Sequence, residues 1–205
     1  MQTIVKEPTT RNAINTFHAI LEAAEDLFYK NGYHKTTVNN ITSQAGIAAG
    51  TFYLYFPSKL SLYKHLLIQM SHDIRREIAS KIADKTTRFE KEREGIKAFI
   101  NLVRRRPHMY NIIWESLYID RELFRDYYAS FAKRYVRGLD QSVQQGEIRA
   151  LDTEVVSYVL MGITNFIGLK VVLNLGDKND DVDRIVDVVM DLIRHGLFIT
   201  DAPKP

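Results

Sequence analysis

The stretch GIAAGTFYLYFPSK, residues 46–59, sets two tyrosines between two phenylalanines and follows them with a proline and a lysine. The hydroxyls of Thr51, Tyr53 and Tyr55, the bare backbone of Gly50 and the ammonium of Lys59 are all groups that meet phosphate oxygens. At about 100° per helical residue, Phe52 and Phe56 share one face. Gly50 and Leu54 point away from it, and Ala49, Thr51, Tyr53 and Tyr55 lie on the flanks. The phenylalanines are expected in the core, with the tyrosines packing at its edge and offering their hydroxyls outward. The charge pattern agrees. From Leu27 to His72 there is no Asp or Glu, although the chain carries 25 acids in 205 residues and a uniform spread would place about six there. Lys30, Lys35, Lys59 and Lys64 lie in that window, in a chain of net charge +3. A stretch without repelling charge suits a polyanion.

A second set of residues offers apolar chemistry. Tyr110, Trp114 and Tyr118 recur at i, i+4, i+8, and Phe124, Tyr128, Phe131 and Tyr135 form another stripe. Phe166 follows Asn165 in the apolar run 155–175. Each ring alone is read as helix-packing core. Together they are read either as core or as a pocket for a lipophilic small molecule, with Trp114, Tyr118, Phe131 and Phe166 as walls. Arg104-Arg105-Arg106 before Pro107 reads as a solvated helix C-terminus rather than an anion site, and Lys170 as a snorkelling side chain.

Other chemistries are excluded. The absence of Cys rules out disulfides and thiolate metal sites. The six His show no metal-ligand spacing. The stretch 177–183, DKNDDVD, has Val182 where a calcium loop needs Gly, so it reads as the first turn of a helix. No nucleophile elbow or phosphate-binding glycine loop is present, so no enzyme, cofactor or metal is expected.

The elements that must position these residues are helical throughout. Phe17, Ile20, Leu21, Ala24, Leu27 and Phe28 fall on one face of a first helix, which Gly32 would end. A short helix is expected from a Thr37 N-cap to Ala45, broken by Gly46, and a third from Ala48 to Phe56, stopped by Pro57. Ser58 would cap a long fourth helix running to Ala83. The charged stretch 84–94 is expected as a bend or linker. Further helices are predicted over 88–105, 107–118, 121–145, 152–174 and 180–199. Ile41, Ala45, Ile47 and Phe52 are spaced to pack the second and third helices as a helix-turn-helix. The run 155–175 is long enough to span a membrane. Ser157, Thr164, Asn165 and Lys170 interrupt it, so it reads as a buried helix of a soluble protein. The N-terminus shows no apolar leader, and a cytoplasmic location is expected. The fold class is all-α, with about nine helices.

Residues 27–67 resemble the N-terminal DNA-binding domain of the TetR family of transcriptional regulators. The matching positions are Leu27-Phe28, Gly32-Tyr33, Thr36-Thr37, Ala45-Gly46, Gly50-Thr51, Tyr53-Leu54-Tyr55-Phe56, Lys59 and Leu62. They span about a fifth of the chain. The resemblance implies a helix-turn-helix domain at 1–65 and a helical ligand-binding and dimerisation domain at 66–205. It makes Thr37, Tyr53, Tyr55 and Lys59 phosphate contacts and places Asn39, Ala49, Gly50, Thr51 and Leu54 near base edges. The family often has Ala where Thr42 stands, Ser where Ala48 stands and Lys where Ala49 stands. Thr42 can fit by bonding a preceding carbonyl. Ala48 removes an N-cap hydroxyl, and Ala49 removes a charge from the reading head.

Family members of this length carry a ligand pocket, so the resemblance favours a pocket for the aromatic set. It further implies a ligand-responsive regulator, a repressor, acting as a homodimer on a palindromic double-stranded DNA operator and answering a small-molecule effector. The last two helices, with the stripe Val182, Ile185, Val186, Val189 and Ile193, are the expected dimer surface. The alternative is a helical small-molecule-binding or scaffold protein whose helix-turn-helix no longer reads DNA, a reading that Ala49 supports.

Overall fold

The computed structural model describes residues 8–173, 175 and 181–196. Among them are nine helices and no strand. They are α1 (Arg11–Lys35), α2 (Val38–Gln44), α3 (Ala49–Tyr55), α4 (Lys59–Ile82), α5 (Arg88–Arg105), α6 (Pro107–Ile119), α7 (Arg121–Gln144), α8 (Thr153–Val172) and α9 (Val182–His195). The expected bounds hold to within a few residues. The predicted end of the last helix at 199, and residues 177–180 of the acidic loop, lie outside the described residues.

Local signals explain most boundaries. Thr10 caps α1, its Oγ1 accepting the Ala13 N–H at 3.3 Å. Gly32, expected to end that helix, instead kinks it at φ 77°, and the helical assignment runs on to Lys35. Ser58 starts α4 by accepting the Ser61 N–H at 3.1 Å. The charged stretch 84–94 is only partly a bend. Thr87 Oγ1 accepts the Glu90 N–H at 3.2 Å while the Glu90 carboxylate accepts the Thr87 N–H at 3.0 Å, a capping box that launches α5.

The chain divides into two compact units, 1–76 with 105–138 and 77–104 with 139–205. The expected boundary at 65/66 falls inside α4. In the first unit the core is aromatic. Phe28, Phe52, Phe56 and Tyr63 are almost fully buried, and Phe17 stacks on Phe56 at 5.3 Å between centroids. Each such ring contributes roughly 1.5–3 kcal/mol on burial.

In the second unit α5 and α9 share a core of Ile96, Ile100, Val182, Ile185, Val186, Val189 and Met190, with Ile163, Ile167, Val171 and Ile193 packed against it. This corrects the sequence expectation: the α9 stripe assigned to dimerisation is buried within its own chain. Arg93 fastens the same pair of helices through Asp187 at 2.9 Å, and Lys97 through Asp183. The face of α8 is the reverse case. Expected as a buried helix, it buries only Ser157, Leu160 and Gly168, and exposes Val155, Tyr158, Val159 and Phe166. Those four recur at helical spacing on one side.

Candidate functional site

The turn between α2 and α3 is built by its caps. Thr37 Oγ1 accepts the Asn40 N–H at 3.1 Å, and Asn40 Oδ1 accepts the Thr37 N–H at 2.9 Å. Ile41, under this box, is wholly buried, as is Phe52 across the turn. Thr42 donates its hydroxyl to the Asn39 carbonyl at 3.2 Å, which lets a polar residue sit buried where a smaller one would serve. Gly46 takes φ 68°, a conformation open mainly to glycine. Ala48 has the extended backbone of an N-cap but no side-chain bond, so α3 begins uncapped.

The outward side of this pair carries Asn39, Ala49, Gly50, Tyr53 and Leu54, all exposed, with Thr51 half-buried. Tyr53 is 52% and Leu54 61% exposed, which is high for side chains of this size. Their groups are apolar, hydroxyl and amide with no carboxylate, a chemistry suited to a groove of bases between phosphates. Thr37 is exposed as well, but its hydroxyl is committed to Asn40.

Two other expected contacts, Tyr55 and Lys59, are placed differently. Tyr55, assigned to the flank, is 8% exposed and packs edge-on against Phe17 at 5.7 Å. Its hydroxyl donates to the Ala13 carbonyl at 3.4 Å. The first turns of α1 cover the flank that helical geometry alone left open. Lys59 donates to the carbonyls of Tyr33 at 2.7 Å and Thr36 at 2.6 Å and lies over the Tyr33 ring. Burial pushes its ammonium below the usual lysine range. It closes the C-terminus of α1, where orphan carbonyls favour a cation. The acid-free window is also less positive in space than in sequence. Lys30 pairs with Asp26 at 2.9 Å and Lys64 with Asp120 at 2.7 Å, both acids lying outside the window.

A second helix holds this head, and sequence reasoning missed it. At the kink, the Tyr33 N–H donates to Glu115 Oε1 of α6 at 2.8 Å. A Cβ on Gly32 would meet that same oxygen at 3.0 Å, so glycine serves both the φ and the close approach. Tyr63 donates its hydroxyl to the Ile112 carbonyl. Arg106, read as a solvated helix end, instead bridges Glu25 of α1 at 3.2 Å and Asp73 of α4 at 3.1 Å. His108 meets the same Glu25 at 2.7 Å. Burial pushes the Glu25 carboxyl up, but His108 and Arg106 more than offset this and hold it below the usual range. The only sequence signal was the count of basic residues before Pro107, which does not name a partner.

The aromatic residues of α6 and α7 do come together. Ring centroids step from Trp114 to Phe124 at 6.4 Å, to Tyr128 at 4.8 Å, to Tyr127 at 5.1 Å and to Phe131 at 5.1 Å. Trp114 and Phe131, both expected walls, therefore belong to one row. Tyr118 does not join it among these ring contacts: it is 81% exposed near the end of α6. Phe166 lies on the exposed face of α8 in the second unit. No group of acidic, His or Cys side chains suited to a metal ion occurs among the described residues.

Comparison with known proteins places these features. Residues 20–66 match the family described as bacterial regulatory proteins, tetR family. The chain is 27% identical over 187 residues, 87% of its length and 93% of the relative's, to the fatty acid metabolism regulator protein of Bacillus subtilis (strain 168). It is 39% identical over 67 residues, 32% of each chain, to the HTH-type transcriptional regulator TtgR of Pseudomonas putida. Among solved structures it resembles the transcriptional regulator FadR from Bacillus subtilis in complex with stearoyl-CoA, with a TM-score of 0.75, 26% identity, and coverage of 89% of this chain and 100% of that one. A TetR-family regulator from Syntrophomonas wolfei gives a TM-score of 0.79 at 19% identity, covering 93% of this chain and 100% of that one, which speaks to the fold alone.

Proposed function

We propose that this chain is a TetR-family transcriptional regulator rather than an enzyme, and acts as a cytoplasmic homodimeric repressor released from a palindromic operator by a long-chain fatty acyl ligand, an acyl-CoA. The observation that carries the reading is the extent of similarity to the Bacillus subtilis fatty acid metabolism regulator. It covers 187 residues and so runs far beyond the matched head into the body. The relative solved with stearoyl-CoA supports the same ligand class.

This reading implies a mechanism. Asn39, Ala49, Gly50, Thr51 and Leu54 face the major groove, with Tyr53 on phosphate. Ala49 and Leu54 are apolar and meet thymine methyl groups, while Asn39 suits adenine. Two heads must engage half-sites together, and the exposed stripe of Val155, Tyr158, Val159 and Phe166 on α8 is the surface for the two-fold pairing. An acyl chain against the row from Trp114 to Phe131 moves α6 and α7. The bonds from α6 to Tyr33, Glu25 and Tyr63 pass that movement to α1 and α4. A coupling of about 1–3 kcal/mol suffices to release an operator.

Selection of bound sequences from a random DNA pool, followed by gel shift of the selected site with and without stearoyl-CoA, tests this. A palindromic site released by the ligand is expected. A site that stays bound at saturating stearoyl-CoA would overturn the assignment of effector.

A further inference from the structure

An acyl-CoA has an apolar tail and a phosphate-bearing end, and the aromatic row accounts only for the tail. We propose that Arg75 of α4 and Arg134 of α7 receive the phosphate-bearing end, beside Phe131 of that row. The inference rests on the acyl-ligand reading above.

The Arg75 guanidinium carbon lies 5.0 Å from the Phe131 ring centroid, and its Nη1 donates to Ser130 Oγ at 3.3 Å. Ser130 is itself turned by a bond from its hydroxyl to the Tyr127 carbonyl at 2.8 Å. Arg134 stands four residues beyond Ser130 and three beyond Phe131, on the same face of α7. Arg75 thus packs on Phe131, and Arg134 stands one turn along α7, close enough for the two charges to act on each other.

Their charges are not neutralised. Among the described residues neither makes an ion pair, whereas Lys64, Arg88, Arg93, Lys97 and Arg106 each do. The nearby acids are taken: Asp73 by Arg106 and Arg76, and Asp126 by Arg125. Arg75 is half-buried, and that burial, with the charge of Arg134, pushes its guanidinium below the usual range. Like charges held together raise the free energy of the empty site and favour a ligand that brings more than one negative charge. A free fatty acid supplies one carboxylate. A diphosphate supplies at least two charges and enough oxygens for both planar forks. The pair therefore selects the CoA conjugate over the free acid.

Calorimetric titration of the full chain with stearoyl-CoA and with stearate, both below their micelle concentrations, provides the test. The variants are Arg75→Gln, Arg134→Gln and the pair together. Arg134→Glu is added because Arg134 is exposed and, among the described residues, makes no bond whose loss would unfold the chain. The double variant and Arg134→Glu should weaken stearoyl-CoA binding by about ten- to a hundredfold and flatten its salt dependence. Stearate binding should change by less than about twofold, because its carboxylate does not need the pair. Unchanged stearoyl-CoA affinity in both variants overturns the site and leaves the acyl reading standing. Equal losses for stearate and stearoyl-CoA overturn the assignment to phosphate. Wild-type protein that binds neither ligand overturns the acyl reading and this site with it.

Discussion

Replacing Lys59 by Met keeps the aliphatic stem and removes the ammonium, so it isolates what that charge does. In the fold it bonds the Tyr33 and Thr36 carbonyls at 2.7 and 2.6 Å and sits 4.1 Å from the Tyr33 ring centroid. A hydrogen bond with one charged partner is worth about 1.5–3 kcal/mol net, and the ring contact adds about 0.5–1 kcal/mol. Against this stands the cost of burying the ammonium, which its lowered pKa reports. The site is also only half-buried, so water replaces part of what is lost. A net loss of about 2–4 kcal/mol follows, or roughly 5–15 °C in Tm for a chain of this size. Thermal melts followed by circular dichroism measure it, with operator affinity recorded at several salt concentrations. A phosphate cation would behave otherwise. The Tm would hold, and the slope of log K against log salt would flatten by about one unit. A Lys59→Met melt within about 1 °C of wild type, together with that flattened slope, would refute the capping argument.

Three further outcomes are expected. Ala48→Ser supplies the missing N-cap of α3 and should raise the urea midpoint by the equivalent of about 0.5–1 kcal/mol, with no change in m; a neutral or negative effect would show that the α3 N-terminus is already satisfied. His65 lies between Phe17 at 5.4 Å and Phe56 at 5.7 Å, and burial pushes its imidazole below the ordinary value of about 6.5. The unfolded chain therefore takes up this proton more readily. Stability should be full above about pH 6.5 and fall as pH drops through that value toward the folded pKa, and urea melts at pH 7.5 and 5.5 should differ less for His65→Gln than for wild type. Val159→Glu places a charge in the centre of the exposed α8 stripe and should turn the proposed dimer into a monomer in sedimentation equilibrium; a variant still dimeric at wild-type affinity would move the interface elsewhere.

What could be read without coordinates was whatever is local. Phe52 and Phe56 announce an inward face because they are four apart before a proline, and both are fully buried. Thr37 and Thr42 could be assigned because their partners, Asn40 and Asn39, lie three residues away. Distant partners carry no such signal. Nothing near Tyr33 indicates that its N–H meets a carboxylate 82 residues on. Tyr55 looked free because helical geometry knows nothing of α1 folding over it. An amphipathic stripe says that a face is buried and not by what. Hence the α9 stripe, expected against a second copy, packs on α5. The lysine window erred for the same reason, since counting acids along the chain does not count Asp120 beside Lys64.

The hold of α6 on the head bears on whether the reading unit can be transplanted. Residues 20–66 are the part that matches the tetR family of bacterial regulatory proteins, which invites treating them as a portable cassette. Yet a fragment ending at Arg76 would leave Glu25, Tyr33, Tyr63 and Lys64 facing water where His108, Glu115, Ile112 and Asp120 now stand. A chimera that grafts this head onto another regulator's body inherits those vacant positions unless the recipient's sixth helix offers an acceptor opposite Tyr33 and an acid opposite Lys64. If these outward residues read DNA as proposed, specificity is better changed by exchanging Asn39, Ala49, Gly50, Tyr53 and Leu54 in place, since they are exposed and leave the seam between head and α6 intact.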